Sequence, residues 1–414
     1  MKSLIFVGLL SAGVSAQVIA APILAVVGAT KVEFFSPSRV EALPAEECGQ
    51  WEAYLLRSQM AATTESTQLF SETKGAKPKK APAAKDFKIK AEWDANWYQS
   101  QQAAELAGVM MSFQTPTGGW SKAVDYTRGP RLNGMAWTSQ TDPFHYAATF
   151  DNRATTEQLN FLNAFFVATK SPSARFSVER GLDYVFKAQF PNGGWPQTFP
   201  LEGGYHDAIT FNDNATTHIL ELLRAIAEEN PKWAWLDAGR QEKARIALNH
   251  GMYCICVAQV EQKGRKTVWC AQHDPLDLKP VAARLKEPAS LSGGESVGLV
   301  RFLMDNPNPP PQMVDSIQRA LAWFEATKIT GDDGEVKWAR FYDVATNKPI
   351  FAGAQDGIVY STFEAMAAKN HVGYDYFVTT PRDLLEKDAP RWREWLQKWL
   401  DRDDEVGAGE IQLP

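Results

Sequence analysis

The chain has 414 residues, a formal net charge of −6 and 44% hydrophobic residues, among them 14 tryptophans and 22 phenylalanines. So much apolar and aromatic sequence excludes a disordered chain, and interspersed charges with an acidic balance argue against a general nucleic-acid binder. An acidic ligand is not excluded, because a few local cations suffice to hold one.

Lys2 precedes the apolar run Ser3–Ala16, and Val14-Ser15-Ala16 and Val18-Ile19-Ala20 put small residues where a signal peptidase cuts. The run is short for a bilayer span, which needs roughly 20 apolar residues. Residues 1–20 therefore read as a signal peptide, and the protein as exported to the periplasm or beyond the cell, with no membrane association after processing. Residues 21–87 hold one short amphipathic segment, WEAYLLRSQM (Trp51–Met60), and a Lys/Ala/Pro-rich connector, Lys74–Lys85. Residues 88–402 are continuously patterned and read as one domain, with 403–414 as a tail.

The patterned part is mainly helical. Leu159, Leu162, Phe165 and Phe166 recur at helical spacing, as do Ile219, Leu222, Leu223 and Ile226, and again Ile317, Ala320, Leu321 and Phe324. Trp392, Trp395, Leu396 and Trp399 form a last such stripe. Long loops rich in Gly, Pro, Asn and Asp separate the helices, and loops of that length usually carry function. Cys48, Cys254, Cys256 and Cys270 lack zinc spacing and allow one disulfide at most; they read as small buried hydrophobes.

Two stretches, Gln114–Trp120 (QTPTGGW) and Gln189–Trp195 (QFPNGGW), fit one pattern, Q-x-P-x-G-G-W, 75 residues apart. TFDNRATTEQLNFL follows the first and TFNDNATTHILELL the second. A third loop, SLSGGESVGLVRFLM, again runs from glycines into an apolar helix. Three loop-plus-helix units predict repeated helical hairpins, stacked or closed into a ring. The GGW motifs themselves read as scaffold. Asp151 and Asp213 occupy what read as equivalent Asp-Asn steps of the two units. Either alone is most simply an N-cap; as a pair they suit a shared site, and with Asn152 and Asn214 they offer the oxygen donors that Ca²⁺ takes. His206 is a further candidate ligand for metal or substrate. Arg284 and Arg340 sit on loops and suit an anion.

At this point the chain resembles the family ten polysaccharide lyases, the pectate lyases. The resemblance rests on FQTPTGGWSKAVDYTRGPR, TFDNRATTEQL, FPNGGWPQTFPLEGGYHDAITFNDNATT, VWCAQHDPLDLKP, EPASLSGGESVGLVRFLM and WARFYDVATNKPIF, in that order, over roughly residues 90–375. It implies a mainly α toroid of helical hairpins, an α/α barrel. It implies calcium-dependent β-elimination on α-1,4-polygalacturonate, or pectin, to 4,5-unsaturated oligogalacturonates. It also implies roles: Asp213 a Ca²⁺ ligand with Asn214 beside it, Asp151 a second ligand or its support, and Arg284 the base at C5. Arg340 and Lys122 become uronate binders, His206 stays a candidate substrate-binding residue, and Trp120, Trp195 and Tyr205 are weaker substrate-binding candidates, for sugar stacking. The sequence departs from the family where Gln355 stands at or near an Arg and Lys348 replaces another. Both are carried as substrate-binding positions. Leu285-Lys286 replaces small and aromatic residues, and Lys286 adds a cation there. Two other readings stay open: a weakly active or inactive relative that binds oligogalacturonate, and a glycoside hydrolase on a helical toroid. Nothing demands a partner chain, so a monomer is expected.

Overall fold

The computed structural model describes residues 23–26, 33–140, 147–228, 230–331, 334–372 and 374–406. The leader expected at residues 1–20 and residues 407–414 of the tail lie outside them. Twelve α-helices follow one another among the described residues: α1 (Pro37–Glu41), α2 (Ala45–Thr73), α3 (Gln101–Ser112), α4 (Thr156–Thr169), α5 (Pro172–Ala188) and α6 (Ala215–Ala227). After these come α7 (Ala238–Ala258), α8 (Glu295–Met304), α9 (Pro311–Ala326), α10 (Phe363–Ala367), α11 (Thr380–Asp383) and α12 (Ala389–Val406). The strands are short antiparallel pairs that pin loops to each other, such as Ile209–Thr210 with Gln272–His273 and Leu291–Ser292 with Phe341–Tyr342.

Helix starts follow their caps. Ser100 accepts from the Ala103 N–H, Ser171 from Ala174 ahead of a Pro at the first turn of α5, and Asp237 from Arg240. The apolar stripes then drive pairing. Helices α4 and α5, α6 and α7, and α8 and α9 form hairpins; α4 contacts α6 and α6 contacts α8, while α5 contacts α7 and α7 contacts α9. This is the toroid of helical hairpins that the repeats predict, built around one core running from Val40 to Leu396.

The repeat goes further than its glycines. Trp120, Trp195, Trp269 and Trp338 are all fully buried. Their indole N–H groups donate to the carbonyls of Met110, Val185, Ile255 and Phe324 at 2.7–3.0 Å. Each tryptophan thus plugs a hairpin and satisfies its one donor on the preceding helix or its end. The glutamines bolt successive units together: Gln114 Nε2 donates to Gly118 and Ser177, Gln189 Nε2 to Gly193 and Ala247, and Gln259 Nε2 to Thr267 and Ser316. Gly118 and Gly193 have φ of 111° and 90°, and a Cβ on either would stand 2.4 Å or 2.2 Å from the carbonyl oxygen of Arg180 or His250. The GGW motifs are scaffold, and the sugar-stacking alternative for Trp120 and Trp195 is excluded by their burial.

Two expectations change. The single short amphipathic segment is part of a helix of 29 residues, α2. Its Trp51 and Tyr54 pack with Phe35, Phe190 and Phe199, and the Tyr54 hydroxyl donates to Ala188 O. The connector after it is pinned through bridges from Lys79 to Met135 and from Ala83 to Val124. The four cysteines form no disulfide; all are free and three are buried.

Candidate functional site

The three unit loops are built alike. Thr149 N–H donates to Trp120 O, Thr210 N–H to Trp195 O, and Ser292 N–H to Trp269 O, at 3.0, 3.0 and 2.7 Å. Three residues beyond each anchor stand Asn152, Asp213 and Glu295. Asn152 and Asp213 share a left-handed backbone, φ 52° and 50°. Asp213 is therefore the counterpart of Asn152, and Asp151 the counterpart of Asn212. The two aspartates do not occupy equivalent positions: the loops align T-F-D-N with T-F-N-D, one residue out of step. Asp151 and Asn212 turn into the protein, while Asn152 and Asp213 face solvent.

Those solvent-facing residues line a cleft of about 420 Å³, together with Arg153, Asn214, His218, Glu295 and Arg340. Asp86 and Lys88, from the segment ahead of the toroid, close one side. Asp86 holds two loops at once, accepting from Ala123 N and Asn152 Nδ2.

Asp151 is buried and ion-paired with Lys122. Its charge nevertheless reaches Asp213. Although the Asp213 side chain meets solvent, enough protein surrounds it for burial to raise its carboxyl above the usual range, and the charge on Asp151 raises it further. Arg284 and Arg340 pull it back. The two aspartates and the two arginines thus act on one centre. Asp213 also accepts from Asn212 Nδ2 and donates its own N–H to Glu295. Burial pushes the Glu295 carboxyl up to about 7 against the opposing pull of Arg340, whose Nη1 it accepts at 3.0 Å. The Arg340 Nε is spent on Asp375 O, so its guanidinium is clamped.

Arg284 is gripped by Glu287 through Nε and Nη2, and Tyr374 OH donates to the same carboxylate. Those hydrogen bonds raise the guanidinium's affinity for its proton above the ordinary value. Tyr205 lies near enough to Arg284 to bear on its charge. His206 packs on Tyr205, ring centres 3.9 Å apart, and its Nδ1 is in contact with a Glu202 carboxylate oxygen. Burial pushes the His218 imidazole down to about 4, so a neutral ring faces the cleft.

Two sequence candidates stand apart. Lys348 lies on an exposed turn closed by Asp343. Gln355 sits in the turn before Ile358–Tyr360, its side chain accepting from His371 N–H. No contact among the described residues carries either to the carboxylates. Asn214 lines the cleft, and its amide oxygen rests against Gly298 of α8, where a Cβ would meet it at 2.0 Å.

Sequence reasoning missed Glu287, Glu295, His218 and Asp86 as site residues. Glu287 had a local signal, three residues from Arg284; the others are assembled only by tertiary contacts. For Ca²⁺, the donor chemistry fits: Asp213 offers hard oxygen, and Asp151 adds charge behind it. The number does not close a cage, for no group of three or more acidic, His or Cys side chains among the described residues is arranged to hold a metal. Ca²⁺ takes 6–8 oxygens, so water and a ligand's own carboxylate would have to supply the rest. No described helix is long and apolar enough to cross a membrane.

The family model for pectic acid lyase matches residues 114–385. A solved structure of a family 10 polysaccharide lyase from Cellvibrio cellulosa is similar, with 28% identity and a TM-score of 0.61, covering 72% of this chain and 96% of that one. A point mutant of a family 10 polysaccharide lyase from the same organism, in complex with trigalacturonic acid, matches with 29% identity and a TM-score of 0.60, covering 70% and 93%. No curated protein matches the chain.

Proposed function

The chain belongs to the pectic acid lyase family and is a polysaccharide lyase, and on that premise we propose that it cleaves α-1,4-polygalacturonate by β-elimination with Ca²⁺, after export from the cell. The observation that carries the reading is a cleft lined by Asp213 and Arg340, with Asp151 and Arg284 near enough behind it for their charges to act on Asp213.

The reaction breaks C5–H and the bond from C4 to the glycosidic oxygen, forms the C4=C5 double bond, and returns a proton to the departing oxygen. Its difficulty lies at C5, where charge develops beside a carboxylate that is already negative. Asp213, backed by Asp151, would hold the metal. Bound Ca²⁺ would neutralise the uronate and stabilise the charge that develops as C5 loses its proton. Lys122 keeps buried Asp151 compensated. Arg340 is held by Glu295 and Asp375 with guanidinium N–H groups left over for a uronate. Arg284 takes the C5 proton in its neutral form. Since Glu287 holds the proton on, the turnover rate rises with pH through the alkaline range.

Purified protein mixed with polygalacturonate at alkaline pH should develop the ultraviolet absorbance of a 4,5-unsaturated uronide. The signal should stop with chelator and be absent in Arg284→Ala. New reducing ends without that chromophore would mean hydrolysis instead. A flat trace with retained binding would make the protein an oligogalacturonate binder, a reading that the closed Arg284–Glu287 pair favours.

A further inference from the structure

We propose that Lys286 is the cation that receives the substrate's free carboxylate, and that it sets a preference for unesterified over methyl-esterified galacturonan. The inference rests on the polygalacturonate reading above.

Three cations gather around one aromatic ring. Lys286 Nζ stands 4.0 Å from the centre of the Tyr374 ring and Arg340 Cζ stands 4.9 Å from it. Arg284 is tied to that ring's hydroxyl through Glu287. Two of the three already have carboxylate partners: Arg284 holds Glu287 and Arg340 holds Glu295. Lys286 makes no hydrogen bond or ion pair to a carboxylate among the described residues. It rests instead on the face of a ring. Against that stand partial burial and the like charges of Arg284 and Arg340, which lower its affinity for the proton more than the charge of Glu287 restores it.

A charged ammonium held among two guanidiniums, with the carboxylate that acts on it, Glu287, already gripped by Arg284, is electrostatically under-satisfied. An arriving carboxylate removes the mismatch. A methyl ester brings no charge and leaves it standing. Lysine suits the task because its long stem carries a compact charge that can follow a ligand, whereas the paired arginines are fixed. The carboxylates paired with its neighbouring cations are already taken: Glu287 by Arg284, and Glu295 by Arg340.

The test compares wild type, Lys286→Met and Lys286→Arg on polygalacturonate and on highly methyl-esterified pectin. Methionine keeps an apolar stem over Tyr374 and removes only the charge. The expected result is a KM for polygalacturonate raised about tenfold with kcat nearly unchanged, an unaltered KM for esterified pectin, and recovery in Lys286→Arg. Equal changes on both substrates, or none, would overturn the assignment. If wild type makes no unsaturated product, the lyase reading fails, and calorimetric titration with trigalacturonate then decides on Lys286. A roughly tenfold weaker affinity in Lys286→Met supports it; equal affinities, or no binding to wild type, sink it.

Discussion

Arg284 shows how one contact shapes the chemistry open to a side chain. As a base it must lose a proton, yet Glu287 accepts two of its hydrogen bonds and raises its proton affinity. Removing that carboxylate lowers the proton affinity. Glu287→Gln is therefore expected to move the pH–rate curve towards acid by about one unit, the low end for an adjacent opposite charge. Rates measured across the alkaline range check this. A curve that keeps its position, merely lowered, would remove Arg284 from the base role. The sequence marks Arg284 through its resemblance and marks Glu287 only as a nearby acid. That the two are one unit is settled by the turn in which Glu287 N–H donates back to Arg284 O.

At the scale of elements, the hairpin plug depends on small residues facing each tryptophan. In the middle of α7, a Cβ on Gly251 would meet Leu220 Cδ2 at 2.5 Å and Trp195 Cζ3 at 2.7 Å. Alanine is the better helix former by about 1 kcal/mol. Packing opposes it here, since overfilling a close-packed site costs roughly 1–3 kcal/mol. Gly251→Ala should lower the free energy of unfolding by about 1 kcal/mol net, read from denaturant midpoints; a stabilised variant would refute the plug. The repeat was legible where Gly-Gly preceded Trp. It was hidden around Trp269 and Trp338, because the hairpin needs only a buried indole and a carbonyl to receive it, not the glycines. The same reliance on motif letters put Asp151 and Asp213 in register, while the backbone at Asn152 shows them one residue apart.

At the scale of the molecule, α2 straps the toroid through Glu65, which is buried and hydrogen-bonded by Thr117. No cation among the described residues is paired with it, and burial pushes its carboxyl up to about 7 from 4.5. The folded state then binds the proton more tightly than the unfolded chain. This contribution is full below pH 4.5 and is lost as the pH rises through 7, on the order of 3 kcal/mol in all. Wild type should unfold at a lower temperature at pH 9 than at pH 5 on this account, and Glu65→Gln should shrink the difference. Thermal melts of both at the two pH values test it; an unchanged difference would show that Glu65 is not the group responsible.

The sequence by itself determined the helices, since apolar spacing and caps act over a few residues. It also determined the family, because long motifs in order survive without coordinates. Tertiary structure alone decided that α2 belongs to the core, that Trp269 and Trp338 complete the set of plugs, and that Asn152, Asp213 and Glu295 share one cleft. It also left Lys348 and Gln355 away from that cleft. The reason is physical: hydrogen bonds and ion pairs between residues tens to hundreds apart depend on how hairpins close into a ring, and local spacing carries no record of that closure.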